Sequence, residues 1–181
     1  MGAARDIRNL TLTGFMGSGK TTVGRMVSSL LRFEFLDTDH LIERRAGMRI
    51  ADLFQQQGEA AFRKLEQEVV AELAARQAVV IATGGGVVVN PDNLASLKQH
   101  SLVVCLWASP ETVWNRVRHS SHRPLLKDPN PLARIRQLLI ERRPFYQQAD
   151  VLVQTELRAW RDVARFVVQE FRCASQQPRP M

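Results

Sequence analysis

Long apolar runs, paired cysteines, tyrosine and blocks of like charge are all scarce in this chain of 181 residues. Each scarcity excludes something. No apolar stretch approaches the ~20 residues that cross a bilayer, so no membrane span is expected. Met1 to Asn9 is charged and carries no secretory h-region, so nothing argues for export. The chain has 2 cysteines, Cys105 in an apolar run and Cys173 near the C-terminus. They lack metal-ligand spacing and read as free thiols of a reducing cytoplasm. Tyr146 is the only tyrosine, and there is no basic tail or long Lys/Arg block. Base-stacking platforms are therefore not expected, and nucleic acid ranks a distant second to small anions as a partner. The net charge is nonetheless +7. Its basic residues are spread out, with clusters at Arg44-Arg45 and Arg142-Arg143, a pattern that favours small anionic ligands.

What is present is a regular alternation. Strands are expected at Arg8–Thr13, Glu34–Leu36, Ala78–Ala82, Leu102–Trp107 and Val151–Gln154. Val79-Val80-Ile81 and Leu102 to Leu106 are continuously apolar, as parallel strands covered on both faces are. Helices are expected at Lys20–Leu31, His40–Ala46, Glu59–Arg76, Pro91–Gln99, Pro110–Arg118, Pro131–Gln147 and Arg158–Phe171. Pro91, Pro110 and Pro131 suit first helical turns, and Asn90 and Ser109 suit caps. The alternation implies an α/β fold of three α-β-α layers, with ligands at the carboxyl ends of the strands. One domain is expected over residues 1–173, with 174–181 a disordered tail.

The most specific motif is Gly14-Phe15-Met16-Gly17-Ser18-Gly19-Lys20-Thr21, which fits G-x-x-x-x-G-K-[ST] between a strand and a helix. Glycines let the loop curl so that its N–H groups face a polyphosphate. Lys20 supplies charge near the β- and γ-phosphates, the Thr21 hydroxyl can ligate Mg²⁺, and the helix dipole favours the same anion. A nucleoside triphosphate is the expected ligand.

Other residues fall where the γ-phosphate would lie. Asp37-Thr38-Asp39 is read as the end of the second strand, one carboxylate for Mg²⁺ and the other for a substrate hydroxyl. A capping role for Asp39 is the alternative. Thr83-Gly84-Gly85-Gly86 ends the third strand, where three glycines suit close approach of a ligand. Arg63 suits a carboxylate and Phe62 an apolar ring; by spacing alone, Arg63 and Glu66 read as a surface i,i+3 pair. His119 to Asn130 is polar and proline-punctuated, as a mobile lid would be, and its histidines His119 and His122 lack partners for a metal site.

In combination, Gly17-Ser18-Gly19-Lys20-Thr21, Asp37-Thr38-Asp39, Phe62-Arg63, Gly84-Gly85-Gly86, Arg123-Pro124-Leu125-Leu126 and Arg142-Arg143-Pro144-Phe145-Tyr146 resemble the shikimate kinase family, within the nucleoside-monophosphate-kinase-like group. The match runs in order from about Leu10 to Phe171. The resemblance implies a five-stranded parallel sheet of order 2-3-1-4-5, substrate-binding helices over about 38–65 and a lid over about 119–130. It implies Mg²⁺ held by Thr21 and, through water, Asp37. ATP would meet Gly17, Ser18, Gly19, Lys20, Thr21 and Thr22, with Arg116 on the adenine, Arg123 at the transferring phosphate and Arg158 in an adenine loop. That loop often has a proline in the family, and Trp160 stands near its position here. Shikimate would meet Asp39, Arg63, Gly84, Gly85, Gly86 and Arg142, with Phe54, Phe62 and Glu66 lining or bracing the pocket. Lys20, Asp39 and Arg123 would be catalytic, and the enzyme a cytoplasmic monomer without nucleic-acid or membrane partners. A gluconate-kinase-like enzyme, or a nucleotide-binding regulatory domain without turnover, are the rival readings.

Overall fold

Five short strands line up in parallel in the order β2-β3-β1-β4-β5. They are β1 (Asn9–Thr13), β2 (Glu34–Asp37), β3 (Val79–Ala82), β4 (Ser101–Trp107) and β5 (Val151–Gln154). The structure is a computed structural model and describes residues 5–119 and 128–176. Within them the helices are α1 (Lys20–Leu31), α2 (Thr38–Ala46), α3 (Ile50–Leu73), α4 (Pro91–His100), α5 (Pro110–Val117), α6 (Pro131–Tyr146) and α7 (Trp160–Ser175). None of these helices is long and apolar enough to cross a membrane.

The period of two along each strand divides the core into two layers. Leu10, Leu12, Val80, Leu102, Val104 and Leu106 face α1 and α7, whose Val23, Val27, Val163 and Val167 meet them. Val79, Ile81, Val103 and Cys105 face the other way, against Val70 and Leu73 of α3, Leu97 of α4, Val113 of α5 and Leu139 of α6. That double burial is why the strands read as continuous apolar runs. A third, smaller cluster of Ile42, Leu53, Phe62 and Val69 ties α2 to α3.

Helix starts follow the expected chemistry. Pro91, Pro110 and Pro131 each occupy a first turn, and the side chains of Asn90 and Ser109 accept from the Asp92 and Thr112 amides.

Several boundaries differ from the sequence reading. β2 ends at Asp37, and α2 begins at Thr38 rather than His40. The cap is Asp37, not Asp39: its Oδ1 accepts from the Asp39 amide at 3.1 Å. Asp39 thus sits in a first helical turn. α3 begins at Ile50 rather than Glu59, with a kink at Gly58, whose φ is 80°. The Gly58 backbone is non-helical, so residues 50–57 add a helical segment ahead of the one expected from Glu59. α7 starts at Trp160 and runs to Ser175, into the segment expected as a tail.

Candidate active site

The carboxyl ends of β1, β2 and β3 open into a cleft of about 540 Å³. Its lining includes Gly17, Gly19, Lys20, Thr21 and Thr22 from the loop, and Asp37 and Asp39 from the β2–α2 junction. Gly85 and Gly86 after β3, Arg116 of α5 and Arg142 of α6 complete the predicted set that meets there. Met16, Thr83 and Trp160 line it too. Residues spread from 16 to 160 meet because a parallel sheet delivers every loop of this kind to one edge.

At the nucleotide end, Lys20 Nζ donates to the carbonyls of Gly14 and Phe15 at 2.8 and 3.0 Å. The ammonium is thereby held over the loop. Ser18 is buried beneath it. Arg116 is pinned by three bonds, to the Gly17 carbonyl and to the hydroxyl and carbonyl of Thr155. Its guanidinium lies 4.6 Å from the Trp160 ring centroid. Trp160 in turn packs against the loop, since a Cβ placed on Gly19 would lie 2.5 Å from its ring. Arg116 and Trp160 therefore form one cationic and aromatic wall. Arg158 is exposed, 5.6 Å from the Phe166 ring centroid, and is not part of the cleft lining.

Beside the loop, Thr21 Oγ1 stands 3.4 Å from Asp37 Oδ2. The other Asp37 oxygen is taken by the Asp39 amide. No cluster of three or more His, Cys, Asp or Glu side chains suited to a metal occurs among the described residues.

On the side of the glycine turn, burial and the neighbouring Asp37 raise the Asp39 carboxyl to about 6, against the pull of Lys20. Gly84 is required there: a Cβ on it would fall 2.5 Å from Asp39 Oδ1. Arg63 Nη1 donates to both oxygens of Glu66, at 3.2 and 3.0 Å, and Arg63 also meets Glu59. The spacing suggested a surface pair, but Glu66 is only 1% exposed. Burial raises its carboxyl while Arg63 lowers it. A buried carboxylate therefore fixes Arg63 beside the glycine turn, where a Cβ on Gly86 would lie 3.1 Å from Nη1. Arg142 approaches the same turn from α6, with Nη1 3.4 Å from the Gly85 carbonyl. Phe62 is buried and stacks at 4.7 Å on the half-exposed Phe54. Arg123 and most of the expected lid fall outside the described residues.

The shikimate kinase family profile matches residues 16–172. A shikimate kinase of Caldanaerobacter subterraneus subsp. tengcongensis is 44% identical over 165 residues, spanning 91% of this chain and 96% of its own. The chain belongs to the shikimate kinase family. The solved shikimate kinase from Acinetobacter baumannii in complex with shikimate superposes on this kinase with a TM-score of 0.87 at 41% identity, over 94% of this chain and 96% of that one. A gluconokinase from Sinorhizobium meliloti reaches a TM-score of 0.61 at 16% identity over 95% of each chain, a likeness of fold alone.

The kinase is an ATP-dependent phosphotransferase. Two residues bearing on its site escaped the sequence reading, Thr38 and Tyr146. Both were quoted inside motifs, but neither carries charge, and only the tertiary contacts give them partners.

Proposed function

We propose that this enzyme transfers the γ-phosphate of ATP to the 3-hydroxyl of shikimate, giving shikimate 3-phosphate and ADP on the route to chorismate and the aromatic amino acids. The observation that carries the proposal is the pairing of charges across one cleft. Lys20, Asp39 and Arg142 line it together, and Arg63 stands beside the same glycine turn. A ring with one carboxylate and three hydroxyls matches Asp39, Arg63 and Arg142. The two arginines take the carboxylate, Asp39 accepts from ring hydroxyls, and the ring lies against Phe62. That hold turns one hydroxyl toward the γ-phosphate. Transition states of this class are loose, so positioning and fixed positive charge do most of the work.

Thr21 and Asp37 would hold Mg²⁺, the carboxylate through water. Their hard oxygens, 3.4 Å apart, fit an ion that keeps most of its ligands as water and phosphate. When bound, the ion neutralises phosphate charge. Arg116 and Trp160 would receive the adenine. Arg123 and Arg158 join the nucleotide side on the family resemblance alone. We further propose one catalytic domain over 1–173, acting as a monomer in the cytoplasm, where the free thiols of Cys105 and Cys173 are stable.

A coupled ADP-release assay across shikimate, quinate, gluconate and nucleoside monophosphates tests the reading. Turnover is expected with shikimate. Turnover with gluconate or a nucleotide in its place would overturn it. On the acceptor side, Asp39→Asn should abolish turnover while leaving ATP affinity near wild type. Loss of ATP binding instead would move Asp39 out of the acceptor subsite.

A further inference from the structure

The glycine turn after β3 is the least constrained stretch of the site in sequence. Three consecutive glycines have no side chains to anchor them and lose much conformational freedom when fixed. Whatever holds them must come from outside. Two hydroxyls do so, from two different helices. The Gly84 amide donates to Thr38 Oγ1 at 2.9 Å. The Tyr146 hydroxyl donates to the Gly85 carbonyl at 2.7 Å. Thr38 opens α2 and Tyr146 closes α6, and their exposures are 0% and 1%. A third bond, from the Val87 amide to the Gly84 carbonyl at 3.3 Å, closes the turn on itself.

These bonds fix three successive peptide planes. In a trans peptide the N–H points opposite to the C=O. With the Gly84 carbonyl held by Val87, the Gly85 N–H is turned the other way. With the Gly85 carbonyl held by Tyr146, so is the Gly86 N–H. Gly85 and Gly86 are the members of the turn that line the cleft. The Gly85 oxygen also lies 3.4 Å from Arg142 Nη1, so the phenol and the guanidinium share one acceptor. Movement of that carbonyl would shift Arg142 as well. Burial pushes the phenol up to about 12, so it keeps the proton it donates at any working pH.

We infer that Thr38 and Tyr146 are positioning residues that clamp the glycine turn from two helices and so aim its amides and Arg142 at the acceptor. This rests on the acceptor subsite proposed above. Neither residue is among the residues lining the cleft. Their effect on the acceptor passes through Gly84 and Gly85.

The test uses Tyr146→Phe, Thr38→Val and Thr38→Ser in the full chain, with calorimetric affinities for shikimate and for ADP, kcat, and thermal melts. Tyr146→Phe and Thr38→Val are each expected to weaken shikimate binding about three- to tenfold, the span of one lost hydrogen bond. ADP affinity should fall less than shikimate affinity, because neither hydroxyl bonds the phosphate loop, which the turn meets only where Gly85 lies against Gly14 and Met16. Thr38→Ser keeps the hydroxyl and should restore shikimate affinity. Shikimate affinity unchanged in both Tyr146→Phe and Thr38→Val would overturn the inference. So would equal losses for ADP and shikimate, the mark of general loosening. Should Tyr146→Phe fail to fold, the Thr38→Val and Thr38→Ser pair decides. Arg142→Ala separates the two levels. If wild type does not bind shikimate, the proposed function fails. If wild type binds it and Arg142→Ala loses it while the clamp variants do not, only the clamp fails.

Discussion

Lys20 and His100 show how differently two part-buried or buried basic residues work in one chain. Lys20 is held over the loop by carbonyls at 2.8 and 3.0 Å, which place its charge without neutralising it. Replacing it with methionine removes charge that matters in the transition state, so Lys20→Met should lower kcat by at least about 100-fold with the melting temperature nearly unchanged. Near-normal turnover in that variant would remove the loop from the chemistry. His100 lies at the far end of the sheet, 2% exposed, with Nδ1 3.0 Å from Asn9 Nδ2. Burial, and then the nearby Arg8, push its imidazolium below the usual value of 6.5. The unfolded chain therefore takes up this proton more readily than the folded one. Stability linked to His100 is complete above the unfolded value and falls as pH drops from there toward the folded value. His100→Gln should be less sensitive than wild type to a change from pH 7.5 to 5.5 in urea titrations. Identical pH slopes for the two proteins would contradict this.

At the scale of elements, the acceptor and nucleotide sides rest on different packing. The α2–α3 pair has its own small cluster, in which Leu53 is fully buried beside Ile42, Phe62 and Val69. Leu53→Ala should cost about 2–5 kcal/mol, as cavity-forming leucine truncations do. Because Phe62 shares the cluster and Arg63 follows it, shikimate affinity should fall more than ADP affinity. Equal weakening of both would show that the helices move as one body with the phosphate loop. On the other side, α7 delivers Trp160 against Gly19 and under Arg116. ADP should change tryptophan fluorescence, and Trp160→Phe should remove most of that change. A full response in the variant would assign it to Trp107 or Trp114.

For the whole molecule, the proposed acceptor and nucleotide sites share one cleft roofed by parts of the chain far apart in sequence, so a ligand should stabilise the entire fold. ADP at 100 times its dissociation constant is expected to add about 2.7 kcal/mol. In a protein of this size that corresponds to a rise of about 5–10 °C in melting temperature. Lys20→Met should lose much of it. No shift in the wild-type melt would mean that ADP binds without preference for the folded state.

The sequence by itself determined the strands and the phosphate loop, while the sheet order came with the family resemblance. Local signals decide the first two: apolar runs of strand length, glycines at fixed offsets, and prolines at first helical turns. It also supplied most residues lining the cleft, because Lys20, Asp37, Asp39 and Arg142 carry charge in recognisable motifs and the resemblance added Arg116. Only the tertiary structure decided which of two aspartates caps α2, since Asp37 and Asp39 are both suitable by type and only one has the extended backbone a cap needs. It alone added the helical segment ahead of Gly58, which Leu53 ties into the α2–α3 cluster. It alone showed that Glu66 of the Arg63–Glu66 pair is buried, since spacing along a helix does not say which face is covered. And it alone gave Thr38 and Tyr146 their partners. A hydroxyl has no charge to announce it, and hydrogen bonds across 46 and 61 residues exist only once the sheet has brought three loops to one edge.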